Sequence, residues 1–122
     1  MKATRLGWMG TKTRHFDRMK TFYRDVLNLE VLSIDDASAR FRLGDGTEVH
    51  VYGSQDDDHG FFGSGPVVAL EVDDFATARA RLLSAGTEFI YEEPRRALGR
   101  IWQHFIAPDG NVYEIIGDDV TS

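Results

Sequence analysis

The sequence has no cysteine among its 122 residues. This absence excludes disulfides, thiolate metal sites and thiol nucleophiles, and leaves His, Asp and Glu as the strong metal ligands. Long apolar runs are also missing, since the longest, Pro66 to Leu70, is far too short to span a bilayer. The N-terminal residues lack the apolar stretch of a signal peptide. We therefore expect a cytoplasmic protein that does not enter a membrane.

A concentration of positive charge is lacking as well. The formal net charge is -6, and the lysines and arginines are scattered rather than grouped into a stripe that could neutralise phosphates. We therefore expect no nucleic-acid partner. Hydrophobic residues make up 42% of the chain, which is enough for the core of one compact domain.

One short pattern occurs twice. The segments GDGTEVHVYG (44–53) and PDGNVYEIIG (108–117) align with one offset, which places His50 of the first copy at the position of Glu114 in the second. A second alignment matches the segments that begin at Leu6 and Gly65. Each half is too small to fold alone, so the halves share one core or are exchanged between two chains. A homodimer fits either arrangement.

The spacing of apolar and turn residues in each half predicts the element order βαβββ. Module one covers about residues 5–53, an Asp- and Gly-rich linker about 54–65, and module two about 66–117. The predicted strands begin near Leu6, Leu29, Ala39, Thr47, Val67, Glu88, Arg100 and Asn111. Helices are predicted from His15 or Asp17 to Leu27, ended by Asn28, and from Phe75 to Ala85, capped by Asp73-Asp74 and ended by Gly86. Arg95, Arg96 and Arg100 form a local basic cluster in a predicted loop.

Alternation along the strands predicts which side chains share a face. The face turned away from the helices carries Trp8, Glu48, His50, Tyr52, Val67 and Glu114. His104 and Trp102 join this face only if the turn at Ala107-Pro108-Asp109-Gly110 pairs His104 directly with Glu114. A concave face of aromatic and polar groups favours a small-molecule ligand, and a contact between two subunits is the alternative.

The doubled βαβββ pattern, the segment FYRDVL (22–27) and the segment PDGNVYE (108–114) resemble the vicinal oxygen chelate superfamily. This superfamily includes glyoxalase I, extradiol dioxygenases, fosfomycin-resistance thiol transferases and bleomycin-resistance binding proteins. The resemblance covers essentially the whole chain. It implies an α+β fold in which two βαβββ modules form an eight-stranded, cup-shaped mixed sheet with helices on the outer face.

The resemblance also implies four candidate metal-ligand positions, Trp8, His50, Val67 and Glu114. Trp8 and Val67 have no ligating atom, whereas a divalent metal site needs about three protein ligands. His50, His104 and Glu114 would form a set suited to Fe, Mn, Ni or Zn. Of the three metal ligands that an extradiol dioxygenase uses, this sequence has only one, so that activity is disfavoured.

The lack of ligating atoms at Trp8 and Val67 favours a binding protein over a metal enzyme. Such a protein would hold a small, aromatic ligand in the sheet cup without a complete metal site and without a required cofactor. The candidate ligand-binding residues are Trp8, His50, Tyr52, Val67, Trp102 and His104. Glu114 is a candidate general base, because burial in an apolar cup would raise the pKa of its carboxyl. The alternative is a metal-dependent enzyme, a glyoxalase-like lyase or isomerase or a thiol transferase, that uses His50, Glu114 and His104.

Overall fold

A computed structural model describes residues 1–63 and 65–120. Ser64, in the predicted linker, lies outside the described residues. The chain separates into two compact units. We call Trp8–Val67 the N-terminal unit, and Met1–Gly7 together with the chain from Val68 onward the C-terminal unit.

Among its described residues, the N-terminal unit contains one helical segment, a short 3-10 helix (Gly60–Phe62) and four strands. Its elements are the second half of β1 (Ala3–Lys12), α1 (Phe16–Thr21), a π-helical turn (Phe22–Val26), β2 (Glu30–Ile34), β3 (Ser38–Arg42) and β4 (Glu48–Tyr52). The strands are hydrogen-bonded in the order β2-β3-β4-β1, and only the β1–β4 pair is parallel. Asn28 ends the helical segment with a φ of 55°, as predicted.

The core of the N-terminal unit lies on one face of this sheet. Ala39, Phe41 and Val51 are fully buried there. Residues of the helical segment and the following loop pack against them: Phe16, Met19, Tyr23 and Leu29. Because side chains two apart on a strand share a face, His50 and Tyr52 point away from this helix. The predicted separation of faces is confirmed in this unit.

The C-terminal unit combines the first half of β1 with one helix and the remaining strands. These are β5 (Val67–Val72), α2 (Phe75–Ser84), β6 (Glu88–Phe89), β7 (Arg95–Ala97), β8 (Arg100–Ile106) and β9 (Val112–Asp118). The strand order is β1-β5-β9-β8, and β6 and β7 both pair with β8. The β5–β9 pair is parallel, and β8 and β9 form an antiparallel hairpin.

Helix α2 covers one face of the C-terminal unit. Asp74 caps its first turn by accepting a hydrogen bond from the backbone N–H of Thr77. The helix packs on a core of Val72, Phe75, Ala78, Ile101, Phe105 and Ile115. Gly86, with a φ of 77°, follows the helix as predicted. Neither α-helix in residues 1–63 and 65–120 is long and apolar enough to cross a bilayer.

The predicted α+β class, with a mixed sheet and one helix for each module, is confirmed. The described residues form nine strands rather than eight, because Arg95–Ala97 pairs with β8. The prediction that Arg95 and Arg96 lie in a loop was therefore wrong. Leu98 and Gly99 close the β7–β8 hairpin with φ values of 51° and 77°, and a leucine gives no sequence signal for such a turn.

Candidate functional site

The N-terminal unit carries a stack of rings on the face opposite its helix. The indole of Trp8 and the imidazole of His50 are almost parallel, with centroids 4.9 Å apart and planes 6° apart. Phe62 lies beyond Trp8 with a centroid distance of 6.1 Å. The parallel pairing of β1 with β4 sets Gly10 opposite His50.

Gly10 makes room for this stack. A Cβ at position 10 would overlap the indole of Trp8 and would lie 3.0 Å from the ring of Phe62. The indole of Trp8 therefore packs directly against the backbone of β1 at Gly10. The stack depends on glycine here because of its missing side chain, and not because of backbone conformation.

Both ring nitrogens of His50 are engaged by neighbours two residues away on β4. Nε2 lies 2.9 Å from Oε1 of Glu48, and Nδ1 lies 2.9 Å from the hydroxyl of Tyr52. Since a carboxylate can only accept, Nε2 carries the proton and Nδ1 accepts from Tyr52. Burial lowers the pKa of His50, and the hydrogen bond to Glu48 opposes this shift only in part. His50 is therefore a neutral ring with both nitrogens already paired.

The segment after β4, which we call the strap (residues 53–62), packs against the same rings. His59 stacks on Tyr52 with centroids 3.7 Å apart, and the Phe62 ring meets Tyr52 edge-on at 5.7 Å. Nζ of Lys12 donates to the carbonyl oxygen of Asp56 at 2.6 Å, and the Asp56 carboxylate in turn contacts Nδ1 of His59 at 3.0 Å. The strap is thus tied to β1 and β4 at several points.

The C-terminal unit carries a second histidine and carboxylate. The β8–β9 register pairs His104 directly with Glu114, so both side chains point to the same face, as the sequence analysis required for His104 to join the site. Nε2 of His104 lies 3.9 Å from Oε1 of Glu114. The two residues are only 3% and 2% exposed. Ala69 of β5, opposite Glu114, is fully buried.

Tyr91 completes this second cluster and was missed by the sequence analysis. Its hydroxyl lies 2.7 Å from Nδ1 of His104 and accepts a hydrogen bond of 3.2 Å from the backbone N–H of the same residue. Burial raises the pKa of Tyr91 to about 12, so its hydroxyl keeps its proton at neutral pH. The guanidinium of Arg95 lies 4.0 Å above the tyrosine ring. Tyr91 follows the end of β6, where alternation gives no guidance.

The remaining residues singled out in the sequence lie on β5 and β8, outside the two histidine clusters. Val67 begins β5 and is 1% exposed. Trp102 is partly buried on β8, opposite Ile116 of β9. Arg100, also on β8, forms ion pairs with Glu71 and Asp118. Nothing in these contacts ties the basic residue Arg100 to a ligand.

The residues do not fit the metal centre that the family resemblance implies. Within residues 1–63 and 65–120, no group of three His, Asp or Glu side chains is arranged to hold a metal ion. Trp8 and Val67 have no ligating atom, and both ring nitrogens of His50 are already hydrogen-bonded. A metal at His50 would have to displace Tyr52 or Glu48.

The fold places one α-helix and a set of paired strands in each unit, and the sequence comparison gives the family of the chain. Residues 5–115 match the model of the Glyoxalase/Bleomycin resistance protein/Dioxygenase superfamily. The chain belongs to this superfamily, which confirms the resemblance. No curated protein matches the chain.

Solved structures show the same fold at low sequence identity. The Mn(II)-bound glyoxalase from Novosphingobium aromaticivorans is 24% identical, with a TM-score of 0.74 over 95% of this chain and 39% of that one. Methylmalonyl-CoA epimerase from Mycobacterium tuberculosis is 21% identical, with a TM-score of 0.70 over 93% and 87% of the two chains. A superfamily member from Vibrio splendidus 12B01 is 21% identical, with a TM-score of 0.72 over 93% and 98%.

Proposed function

We propose that this protein binds a small, planar molecule without a complete metal site. The observation that carries the proposal is the state of His50, whose two ring nitrogens are both hydrogen-bonded while its ring stacks on Trp8. A histidine held in this way supplies a flat surface and a fixed polar edge. Such a residue is suited to hold a ligand by shape and stacking rather than through a metal.

The ligand surface that we propose in the N-terminal unit is the exposed part of the Trp8 and His50 rings. Phe62, at the end of the stack, is only 3% exposed, whereas Trp8 and His50 are partly exposed. Tyr52 supports His50 through its hydroxyl. An aromatic ligand would extend the row of rings, and stacking of this kind contributes about 0.5–1.5 kcal/mol for each ring pair beyond the burial of area.

We propose Trp102 and His104 of the C-terminal unit as further ligand-contacting residues. Val67, the last residue of the N-terminal unit and the first of β5, is proposed as another. Glu114 is the proposed general base or ligand anchor, because its carboxylate is almost fully buried beside a histidine. A homodimer in the cytoplasm is the proposed state of the protein. This assignment rests on the superfamily and on the doubled module.

A metal-dependent, glyoxalase-like lyase or isomerase or a thiol transferase is the second candidate. It is favoured by the direct pairing of His104 with Glu114 on one face and by the fold shared with a Mn(II)-bound glyoxalase. This candidate requires His50 to leave its present hydrogen bonds and act as the third ligand for Fe, Mn, Ni or Zn.

The two tryptophans allow a direct test, because each lies in a different unit. Trp102→Phe leaves Trp8 as the only indole, and Trp8→Leu leaves Trp102. A panel of planar aromatic compounds should quench Trp8 fluorescence in Trp102→Phe saturably, with the same affinity in EDTA and in Mn(II). Trp8→Leu removes the ring at position 8, so ligand affinity measured by calorimetry should fall by about three- to tenfold, the loss of one ring pair.

Binding that appears only with a divalent metal would support the second candidate. If no planar compound binds with or without metal, the binding function is wrong. Unchanged affinity in Trp8→Leu would place the ligand away from the Trp8–His50 stack.

A further inference from the structure

A tyrosine, a histidine and a glutamate recur in the same order of contacts in each unit. In the N-terminal unit Tyr52 contacts Nδ1 of His50, and Glu48 contacts Nε2. In the C-terminal unit Tyr91 contacts Nδ1 of His104, and Nε2 faces Glu114 at 3.9 Å. The partners of His50 lie two residues away from it on β4. The partners of His104 come from two separate segments of the chain.

Hydrogen-bond donors and acceptors decide where the proton of His104 lies. A tyrosine hydroxyl has one proton and two lone pairs, and the hydroxyl of Tyr91 already accepts from the backbone N–H of His104. A phenol donates more readily than it accepts a second hydrogen bond, because its lone pairs are conjugated with the ring. Its own proton is therefore best directed at Nδ1, 2.7 Å away. A neutral imidazole whose Nδ1 accepts carries its proton on Nε2, the nitrogen that faces Glu114.

The same assignment holds for His50 by a different route. There the carboxylate of Glu48 lies at full hydrogen-bond distance, 2.9 Å, and requires a proton on Nε2. The hydroxyl of Tyr52 is then the donor to Nδ1. In one unit the glutamate sets the tautomer, and in the other unit the tyrosine sets it.

We propose that Tyr52 and Tyr91 are positioning residues that hold His50 and His104 in the tautomer protonated at Nε2, and so make both histidines hydrogen-bond donors. The Nδ1 lone pair of each ring is occupied by a tyrosine hydroxyl, and the Nε2 proton is directed at a glutamate. In this state neither ring has a lone pair available to take a proton or to bind a metal. The proposal rests on the proposed function only for its consequence that the ligand meets both histidines in this one tautomer.

Nitrogen-15 NMR of histidine-labelled protein at pH 8 tests the proposal. In the wild type, Nε2 of both residues should resonate as a protonated nitrogen, and Nδ1 as an unprotonated nitrogen that accepts a hydrogen bond. In Tyr91→Phe the ratio of the Nε2–H to the Nδ1–H tautomer of His104 should fall about fivefold, the effect of one ordinary hydrogen bond. His50 should not change in this variant and serves as the internal control.

Tyr52→Phe gives the complementary measurement. The Nδ1 resonance of His50 should move toward that of a nitrogen without a hydrogen bond, while Glu48 keeps the proton on Nε2. The spectrum of His104 should not change. Tyr113→Phe is the matched control, because Tyr113 stacks on Phe105 on the helix side of its sheet, and neither histidine should respond.

A wild-type spectrum with the proton on Nδ1 of either histidine would overturn the proposal for that residue. So would a Tyr91→Phe spectrum in which His104 keeps its wild-type resonances. If a tyrosine variant does not fold, the wild-type spectrum still decides the tautomer. These outcomes do not depend on the fluorescence test, since the tautomers can be correct even if no planar ligand binds.

Discussion

Replacing Gly10 with alanine tests whether the Trp8 stack is built as described. The added Cβ would overlap the indole of Trp8 and approach the ring of Phe62 to 3.0 Å. The indole cannot move aside without leaving His50, which lies 4.9 Å from it. Either the stack separates or β1 shifts away from the rings.

The expected magnitude follows from two opposing effects. Inserting a methyl group into a packed site costs about 1–3 kcal/mol of folding free energy. Alanine also restricts the unfolded chain relative to glycine, which stabilises the fold by about 0.4–1 kcal/mol. The steric cost is the larger effect, so we expect Gly10→Ala to lower the free energy of unfolding by about 1.3 kcal/mol, the difference between the mid-range values of the two effects.

Urea unfolding measures this loss, and fluorescence in a Trp102→Phe background reports the environment of Trp8 alone. Gly44→Ala is the matched control, because no atom lies within 4 Å of a Cβ at position 44. That variant should be as stable as the wild type or slightly more stable. A Gly10→Ala protein with wild-type stability and an unchanged Trp8 spectrum would refute the described packing.

Three further predictions follow from burial and charge. Phe41→Ala should lower the free energy of unfolding by about 3–5 kcal/mol in urea titrations, because the ring is fully buried; a loss below about 1 kcal/mol would contradict this burial. For Asp56, burial raises the pKa, but the hydrogen bonds and charge of His59 outweigh it, so the pKa lies below the ordinary value. The stability difference between wild type and Asp56→Asn should therefore be full above about pH 5 and should shrink as the pH falls below about 4; a difference that stays constant into acid would contradict this sign. For His50, burial lowers the pKa, so its stabilising effect relative to His50→Gln should be full above about pH 7.5 and should decrease as the pH falls below about 6.5; a difference that grows in acid would contradict this sign.

Local patterns in the sequence were sufficient to predict most of the fold. The alternation in β4 and β9 placed His50 and Glu114 on the faces without helices, because strand side chains repeat every two residues. Asp74 and Gly86 marked the two ends of α2, since each residue type satisfies a specific need of a helix terminus. These signals are contained in a few neighbouring residues and do not depend on the rest of the chain.

Contacts that depend on register could not be predicted in the same way. The pairing of His104 with Glu114 follows from the geometry of one turn, which the sequence leaves open by one residue. Tyr91 reaches His104 from a bend outside any regular strand. The engagement of His50 by Glu48 and Tyr52 had a readable signal, because residues two apart on a strand share a face, but the pattern alone does not give hydrogen bonds.

The metal content of the purified protein tests the central claim most directly. The protein should be prepared without a histidine tag, incubated anaerobically with Fe(II), Mn(II), Ni(II) and Zn(II), and desalted before elemental mass spectrometry. Because both nitrogens of His50 are hydrogen-bonded and Trp8 and Val67 cannot ligate, we expect far less than one ion per chain, unchanged in His50→Ala. One tightly held ion per chain in the wild type, lost in His50→Ala, would contradict this account and establish a metal site.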